Sequence, residues 1–336
     1  MNNPILIEVT RGPLVESAHR GALVLADGLG HIALQLGDID RRVYPRSSVK
    51  ALQCLPLIET GAADRFGFGA EEIALACASH SGSERHAAIA AGMLARAGLE
   101  ECALGCGAHA PMGEGAVRAL ILKGETPSQL HNNCSGKHAG MLATAKHLGE
   151  PLAGYWEPSH PVQLRVRAVI AEMSDFPVGD DALGIDGCAV PTWAIPLRSL
   201  ARMFATMGTG EGLSQSRRAA VARIMKSCWA EPELVAGPGR ADSVVMRRLP
   251  GEVFLKTGAE GVYCGSFPRL GLGFALKIDD GTKRASAGAA MALIERVVPA
   301  ARGLIDKRVT RNWRGSEVGM NRSSTCYDRA LDGLKL

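Results

Sequence analysis

Ser47-Ser48-Val49-Lys50, directly after Pro45-Arg46, is the stretch on which the reading of this chain turns. Apolar residues at helical spacing run from Ser47 to Ala62, so the string opens a predicted helix and sets Ser47 and Lys50 on one face, about a turn apart. A hydroxyl beside an amine is a chemical pair. Serine is a weak nucleophile at neutral pH, and a lysine made neutral by burial or a nearby cation can take its proton. The start of a helix also favours developing negative charge. The plain alternative is an N-cap serine followed by a surface lysine.

Two further elements, in chain order, weigh against that alternative. Ser79-His80-Ser81 follows a predicted helix over Glu71–Ala78, and Lys256-Thr257-Gly258 ends a predicted strand over Glu252–Thr257. Enzymes built on Ser-x-x-Lys carry a Ser-x-Asn loop and then Lys-Thr-Gly on a strand; here Ser81 stands where that loop has Asn. The expected fold class is therefore α/β (α+β) with a β-lactamase/transpeptidase-like architecture.

The patterning around these motifs agrees with that order. Short β-type runs cover Ile5–Thr10, Gly21–Leu25 and His31–Gln35, with Asp27-Gly28 as a hairpin signal. Helical spacing then takes over in Ser47–Ala62, Glu71–Ala78, Ser83–Ala97, Lys137–Leu148, Pro161–Met173, Leu197–Met207 and Gln215–Ser227. Strands return at Glu252–Thr257 and Leu272–Ile278, and a closing helix is predicted over Ser286–Leu304. Strands at both ends with helices between predict an antiparallel sheet lobe from residues 1–45 and 245–336, flanked by helices, and an inserted all-α lobe over 46–244.

Composition narrows the function classes. The 336 residues, 46% hydrophobic, can bury a large core, and 38 basic against 34 acidic residues, spread along the chain, leave no footprint for nucleic acid. No segment approaches eighteen consecutive apolar residues and the N-terminus lacks a signal-peptide pattern, so a cytoplasmic protein with no membrane partner is expected. Nine cysteines, an odd number in a long chain, argue against a disulfide framework.

A second polar cluster lies in His131-Asn132-Asn133-Cys134-Ser135-Gly136-Lys137-His138-Ala139-Gly140, just before an apolar helix. Cys134 and Lys137 share a helical face, and Gly184-Ile185-Asp186-Gly187-Cys188 brings a second thiol beside a carboxylate. Cys134, Lys137 and Cys188 form an S, N, S set that suits zinc with a fourth position open, and Asp186 would support it from behind. The alternative is two buried thiols, with Lys137 lending only its charge to an anion pocket. Cys102 and Cys106, near His109, are read as helix packing and are assigned no metal.

On these strings the chain resembles the rhizobial-type, or class 3, L-asparaginases of the asparaginase II family. The matching segments are Val9-Thr10-Arg11-Gly12 with Glu16-Ser17, Arg46 to Lys50, Ser79-His80-Ser81-Gly82, Asn132 to Gly140, Asp186-Gly187-Cys188 and Lys256-Thr257-Gly258-Ala259-Glu260-Gly261. The resemblance implies a serine β-lactamase-like fold, a homodimer, and hydrolysis of L-asparagine to L-aspartate and ammonia. It implies two catalytic pairs, Ser47 with Lys50 and Ser79 with Lys256, and zinc at Cys134, Lys137 and Cys188. Arg46, His138, Asp186 and Ala259 are the expected substrate-side residues, Ala259 through its backbone N–H. Three rival readings stay open: a serine-dependent glutaminase, a penicillin-interacting hydrolase, and a non-catalytic amino-acid or zinc-binding protein.

Overall fold

The computed structural model describes residues 3–305 and 309–335 and divides into two compact units. The sheet unit comprises Met1–Ser48, Ile195–Thr209 and Arg248–Leu336; the helical unit comprises Val49–Ala194 and Gly210–Arg247.

Strands in chain order are β1 (Ile5–Arg11), β2 (Leu14–Asp27), β3 (Ile32–Leu36), β4 (Arg42–Val43), β5 (Leu183–Ile185) and β6 (Pro191–Trp193). They continue as β7 (Ile195–Pro196), β8 (Phe254–Thr257), β9 (Val262–Phe267), β10 (Leu272–Ile278), β11 (Val309–Arg311) and β12 (Glu317–Ser323). The main sheet is antiparallel in the order β11-β12-β1-β2-β10-β9-β8, with β3 also on β2. Strand β2 is the splice. Its first half pairs with β1, from Arg20 opposite Ile5 to Leu14 opposite Arg11; its second half pairs with β10, from Gly21 opposite Ile278 to Asp27 opposite Leu272. The change of partner falls at Gly21, where an added Cβ would sit 2.6 Å from the Lys277 carbonyl, so a side chain there would push the new partner away.

The expected hairpin after Asp27 forms, because Asp27 Oδ1 accepts the backbone N–H of Leu29 and of His31, both at 2.9 Å. Strand β9 is buried at every residue, so this part of the sheet is covered on both faces. The helices Leu197–Thr209 and Lys283–Val297 both pack on it. The first comes close enough at β10 that only glycine fits: a Cβ on Gly273 would lie 2.2 Å from Ala205 N. Residues 195–209, which the sequence pattern groups with the helical lobe, thus return to the sheet unit, and β7 pairs there with β4.

The helical unit is built around Ser135–Leu148, whose first eleven residues, Ser135 to Ala145, are all buried. Its glycines let neighbours approach: a Cβ on Gly136 would meet the Leu75 carbonyl at 2.5 Å. The helices Ala70–Ala76, Glu84–Arg96 and Pro161–Ser174 pack on it.

Two predicted helices need correction. Ser47–Ala62 is not one helix but a 3-10 turn, Arg46–Val49, followed by short helices Lys50–Gln53, Leu55–Glu59 and Ala62–Arg65. Pro56 has no N–H to offer the carbonyl four residues earlier, and Gly61, at φ +81°, breaks the helix again. The C-terminal helix stops at Val297 instead of Leu304, since Pro299 drives the residue before it to φ −124°, ψ 90°. The helices Glu114–Lys123 and Thr325–Asp332, and β9, β11 and β12, lie where the sequence reading placed none.

Candidate active site

In the sheet unit, Ser47 lies in the 3-10 turn Arg46–Val49, two residues before the chain enters the helical unit at Val49. Pro45 anchors that turn, its carbonyl accepting the Ser48 hydroxyl at 2.7 Å and the Ser48 N–H at 3.1 Å. Arg46 holds φ +52°, a left-handed conformation that costs a non-glycine residue on the order of 1 kcal/mol or more. The strand β8 ends in Lys256-Thr257-Gly258 beside this turn, and a Cβ on Gly258 would come within 2.9 Å of the Pro45 carbonyl. Lys256 is buried, with Nζ donating to the Thr257 carbonyl at 3.1 Å. Behind it the Cys264 thiol is pushed up to about 12 by burial, against the opposing pull of Ser48 and Lys256. Ala259 follows in the β8–β9 turn, where Glu260 is again left-handed at φ +53°. The sheet unit therefore gathers Arg46, Ser47, Lys256 and Ala259 around two strained turns.

The helical unit gathers the rest. Lys50 is fully buried, and its Nζ has three partners: the Ala78 carbonyl at 2.6 Å, the Asn133 carbonyl at 3.2 Å and Cys134 Sγ at 3.0 Å. Three hydrogen-bonding partners and one carbon saturate a tetrahedral nitrogen. Lys137, in the first turn of the central helix, donates to Cys188 Sγ at 3.1 Å. Cys188 sits on the β5–β6 hairpin, presented by a turn in which Ala189 N–H reaches Asp186 O at 2.9 Å and Ala189 takes φ +73°. Asp186 closes the same turn by accepting the Gly187 N–H at 2.8 Å.

These groups share charge. A hydrogen bond from Cys134 pulls the Cys188 thiol down to about 5, burial opposes it, and the Lys137 and Lys50 ammonium groups pull the same way. Cys134 is pushed up to about 12 by that same bond and by burial, so the two thiols are driven in opposite directions. Burial works against the Lys137 charge, but Cys188, Cys134 and Asp186 outweigh it and raise its pKa. Cys106, also buried and pushed up to about 12 by burial, feels both thiols, whereas Cys102 is exposed.

The neighbouring histidines are held neutral. The Tyr155 hydroxyl accepts the Gly105 N–H at 2.8 Å and donates to His138 Nδ1 at 2.5 Å, which leaves Nε2 as the N–H, buried and without a partner among the described residues. Burial first, then the Lys137 charge, lowers His138 to about 3. His80 follows the same pattern: burial lowers it, Gly82 N–H donates to its Nδ1 at 3.1 Å, and its Nε2 donates to Ser135 Oγ at 3.0 Å. Ser79, buried, begins this loop.

Among the described residues no group of three or more His, Cys, Asp or Glu side chains is arranged to hold a metal ion. The set Cys134, Lys137 and Cys188 is of another kind, two sulfurs and an amine, all three buried and two of them joined at 3.1 Å between Lys137 Nζ and Cys188 Sγ; these donor types suit zinc once the lysine and both thiols have given up their protons. Sequence reasoning missed Asn133, Tyr155 and Arg240. Asn133 offers its carbonyl to Lys50 and its Oδ1 to Cys134 Sγ at 3.3 Å, and only the density of polar residues in 131–138 signalled it.

The model of the family described as L-asparaginase II matches residues 7–323. No curated protein matches the chain. Among solved structures, a crystal structure of Mglu in native form with 4.3 M NaCl is similar at 17% identity and TM-score 0.45, covering 87% of this chain and 66% of that one. Two further Mglu crystal structures match at 16% identity, with TM-scores of 0.44 and 0.43, covering 85% and 87% of this chain and 68% and 69% of theirs. The chain thus spans about two thirds of the length of those proteins. No helix among the described residues is long and apolar enough to cross a membrane. With a family match running through both units and all the motifs above, the chain belongs to the L-asparaginase II family.

Proposed function

We propose that the protein is an L-asparaginase, an amidohydrolase that cleaves L-asparagine to L-aspartate and ammonia through a serine acyl-enzyme. The observation that carries this reading is the buried array Lys50–Cys134 and Lys137–Cys188, joined at 3.0 and 3.1 Å, inside a family-matched chain. Burying two lysine amines costs stability that apolar side chains would not cost, and setting a thiol against each of them points to chemistry.

In this reading Ser47 Oγ attacks the side-chain amide carbon while a lysine takes its proton. Backbone N–H groups of Ser47 and Ala259 hold the resulting oxyanion. The C–N bond breaks as the nitrogen gains a proton through Ser79 and Lys256, ammonia leaves, and water cleaves the ester to release aspartate. For Lys50 to take the first proton it must be neutral and give up one of its three partners, of which the Asn133 carbonyl at 3.2 Å is the most distant oxygen. Arg46, Asp186 and the His138 Nε2–H, which has no partner among the described residues, are the groups proposed to bind the amino-acid end of the substrate.

Cys134, Lys137 and Cys188 would hold zinc, which supplies a cation for binding and polarising an oxygen nearby. The β-lactamase-like fold, the homodimer and the cytoplasmic location belong to the same proposal. The test is ammonia release from L-asparagine and L-glutamine by the protein and by Ser47→Ala. Release from asparagine that is lost in the variant supports the reading. Release that survives moves the nucleophile to Ser79, release from glutamine alone makes the protein a glutaminase, and release from neither sinks it.

A further inference from the structure

The loop that carries Ser79 has two consecutive carbonyls gripped by two cations. Lys50 Nζ donates to Ala78 O, and Arg240 Nη1 donates to Ser79 O, each at 2.6 Å. Those two carbonyls belong to the two peptide planes on either side of the Ser79 Cα, so holding both fixes φ and ψ of Ser79 and therefore the direction of its Cβ. The N–H side is tied as well, Ser79 N–H to Val235 O at 2.9 Å and His80 N–H to Asn133 O at 3.3 Å.

Arg240 is brought to this place by the fold. Its Nη1 also reaches Ala236 O at 3.4 Å, and the segment before it lies tight on the loop: a Cβ on Gly237, at φ +145°, would be 2.4 Å from Ser81 Oγ. Only glycine takes that backbone angle freely, so the sequence Ala236-Gly237-Pro238-Gly239-Arg240 is shaped to deliver a guanidinium to the Ser79 carbonyl. A charged donor on a carbonyl gives a stronger and more directional hold than a neutral one.

We propose that Lys50 and Arg240 form a two-cation clamp that sets the backbone of Ser79, which makes Arg240 a positioning residue. This rests on the reading of Ser79 as a reactive serine. Lys50, with every position on its nitrogen filled, is a strut in the resting protein whatever proton it handles in turnover.

The test uses the full chain with zinc supplied, and compares wild type with Arg240→Met and Arg240→Lys. Two quantities are read: steady-state kinetics on L-asparagine, and the rate at which a fluorophosphonate labels Ser79 in a Ser47→Ala background, located by peptide mass spectrometry, no labelling of Ser79 there removing the reactive-serine reading and the clamp with it. A misplaced reacting group loses on the order of 10²-fold in rate, so Arg240→Met is expected to lose tenfold or more in kcat with KM little changed. Labelling of Ser79 slows in step, and Arg240→Lys, which keeps a cationic donor, recovers most of both. Zinc affinity, from chelator competition with the metal alone, stays at the wild-type value in Arg240→Met. A folded Arg240→Met with wild-type kcat, or with Ser79 labelled at the wild-type rate, overturns the clamp. If Arg240→Met does not fold, the labelling ratio of Arg240→Gln to wild type decides in the same sense. A wild-type protein that releases no ammonia removes the asparaginase reading, while the labelling ratio still judges the clamp.

Discussion

Replacing Gly136 by alanine separates helix propensity from helix packing. Alanine is the better helix former by about 1 kcal/mol, so in an open helix the change stabilises. At Gly136 the new Cβ would stand 2.5 Å from both the Leu75 carbonyl oxygen and its Cγ, against the 3.4 Å of ordinary contact, so a gap of about 0.9 Å must be opened. The obstacle is backbone of the helix Ala70–Ala76, which cannot rotate away as a side-chain end can. Overpacking of this sort costs about 1–3 kcal/mol, and a rigid neighbour puts it at the upper end, leaving a net loss of about 2 kcal/mol. Two glycines serve as controls. Gly140 would meet Leu57 Cδ2 at 3.2 Å and is expected near neutral, while Gly92, with nothing within 4 Å, is expected to gain up to about 1 kcal/mol. Urea unfolding of the three variants gives the order Gly92→Ala, Gly140→Ala, Gly136→Ala, the last with its midpoint lowered by on the order of 0.5 M. A Gly136→Ala protein as stable as Gly92→Ala would refute the reasoning.

Other perturbations act on single features. Cys188→Ser removes the sulfur that Lys137 faces and is expected to abolish stoichiometric zinc uptake, measured by elemental analysis after dialysis, with the secondary structure retained; full zinc content in the variant argues against the metal set. Asp280 is held at about 2, below its ordinary 3.8, because hydrogen bonds from Thr282 and His19 outweigh burial. A depressed carboxyl pKa stabilises above the unfolded value and loses that stability as pH falls from about 4 towards 2; with the side chain 47% exposed, the contribution is about 1 kcal/mol after screening. Melting temperatures of wild type and Asp280→Asn should therefore differ at pH 6 and converge near pH 2, and parallel curves would contradict the assignment. Arg217 bridges Glu59 and Glu172 with only 14% of its side chain exposed, so Arg217→Met should cost about 2 kcal/mol in chemical unfolding, partly by stranding Glu59.

Much of this protein was legible from residue order. Alternating and helical periodicities located the strands at the two ends of the chain, the intervening helices and the Asp27-Gly28 hairpin, because those patterns follow from the backbone repeat of each element. The motif strings named Ser47, Lys50, Ser79, Cys134, Lys137, Cys188 and Lys256, since chemistry demands particular side chains whatever surrounds them. Periodicity also ran on past Pro56 and Pro299, where a missing N–H and a restricted neighbour ended helices the apolar pattern would have continued.

Tertiary structure decided what periodicity cannot carry. Strand β2 exchanges β1 for β10 at Gly21, and residues 195–209 return to the sheet unit, because pairing and packing depend on partners far away in the chain. The same holds for the chemistry. Nothing in the spacing of Lys50, Ala78, Asn133 and Cys134 shows that one amine touches three of the others' atoms, or that Arg240 meets the Ser79 carbonyl from 161 residues away. Residue order supplied the reactive groups; the folded chain alone set their distances and their burial, because both depend on partners far away in sequence.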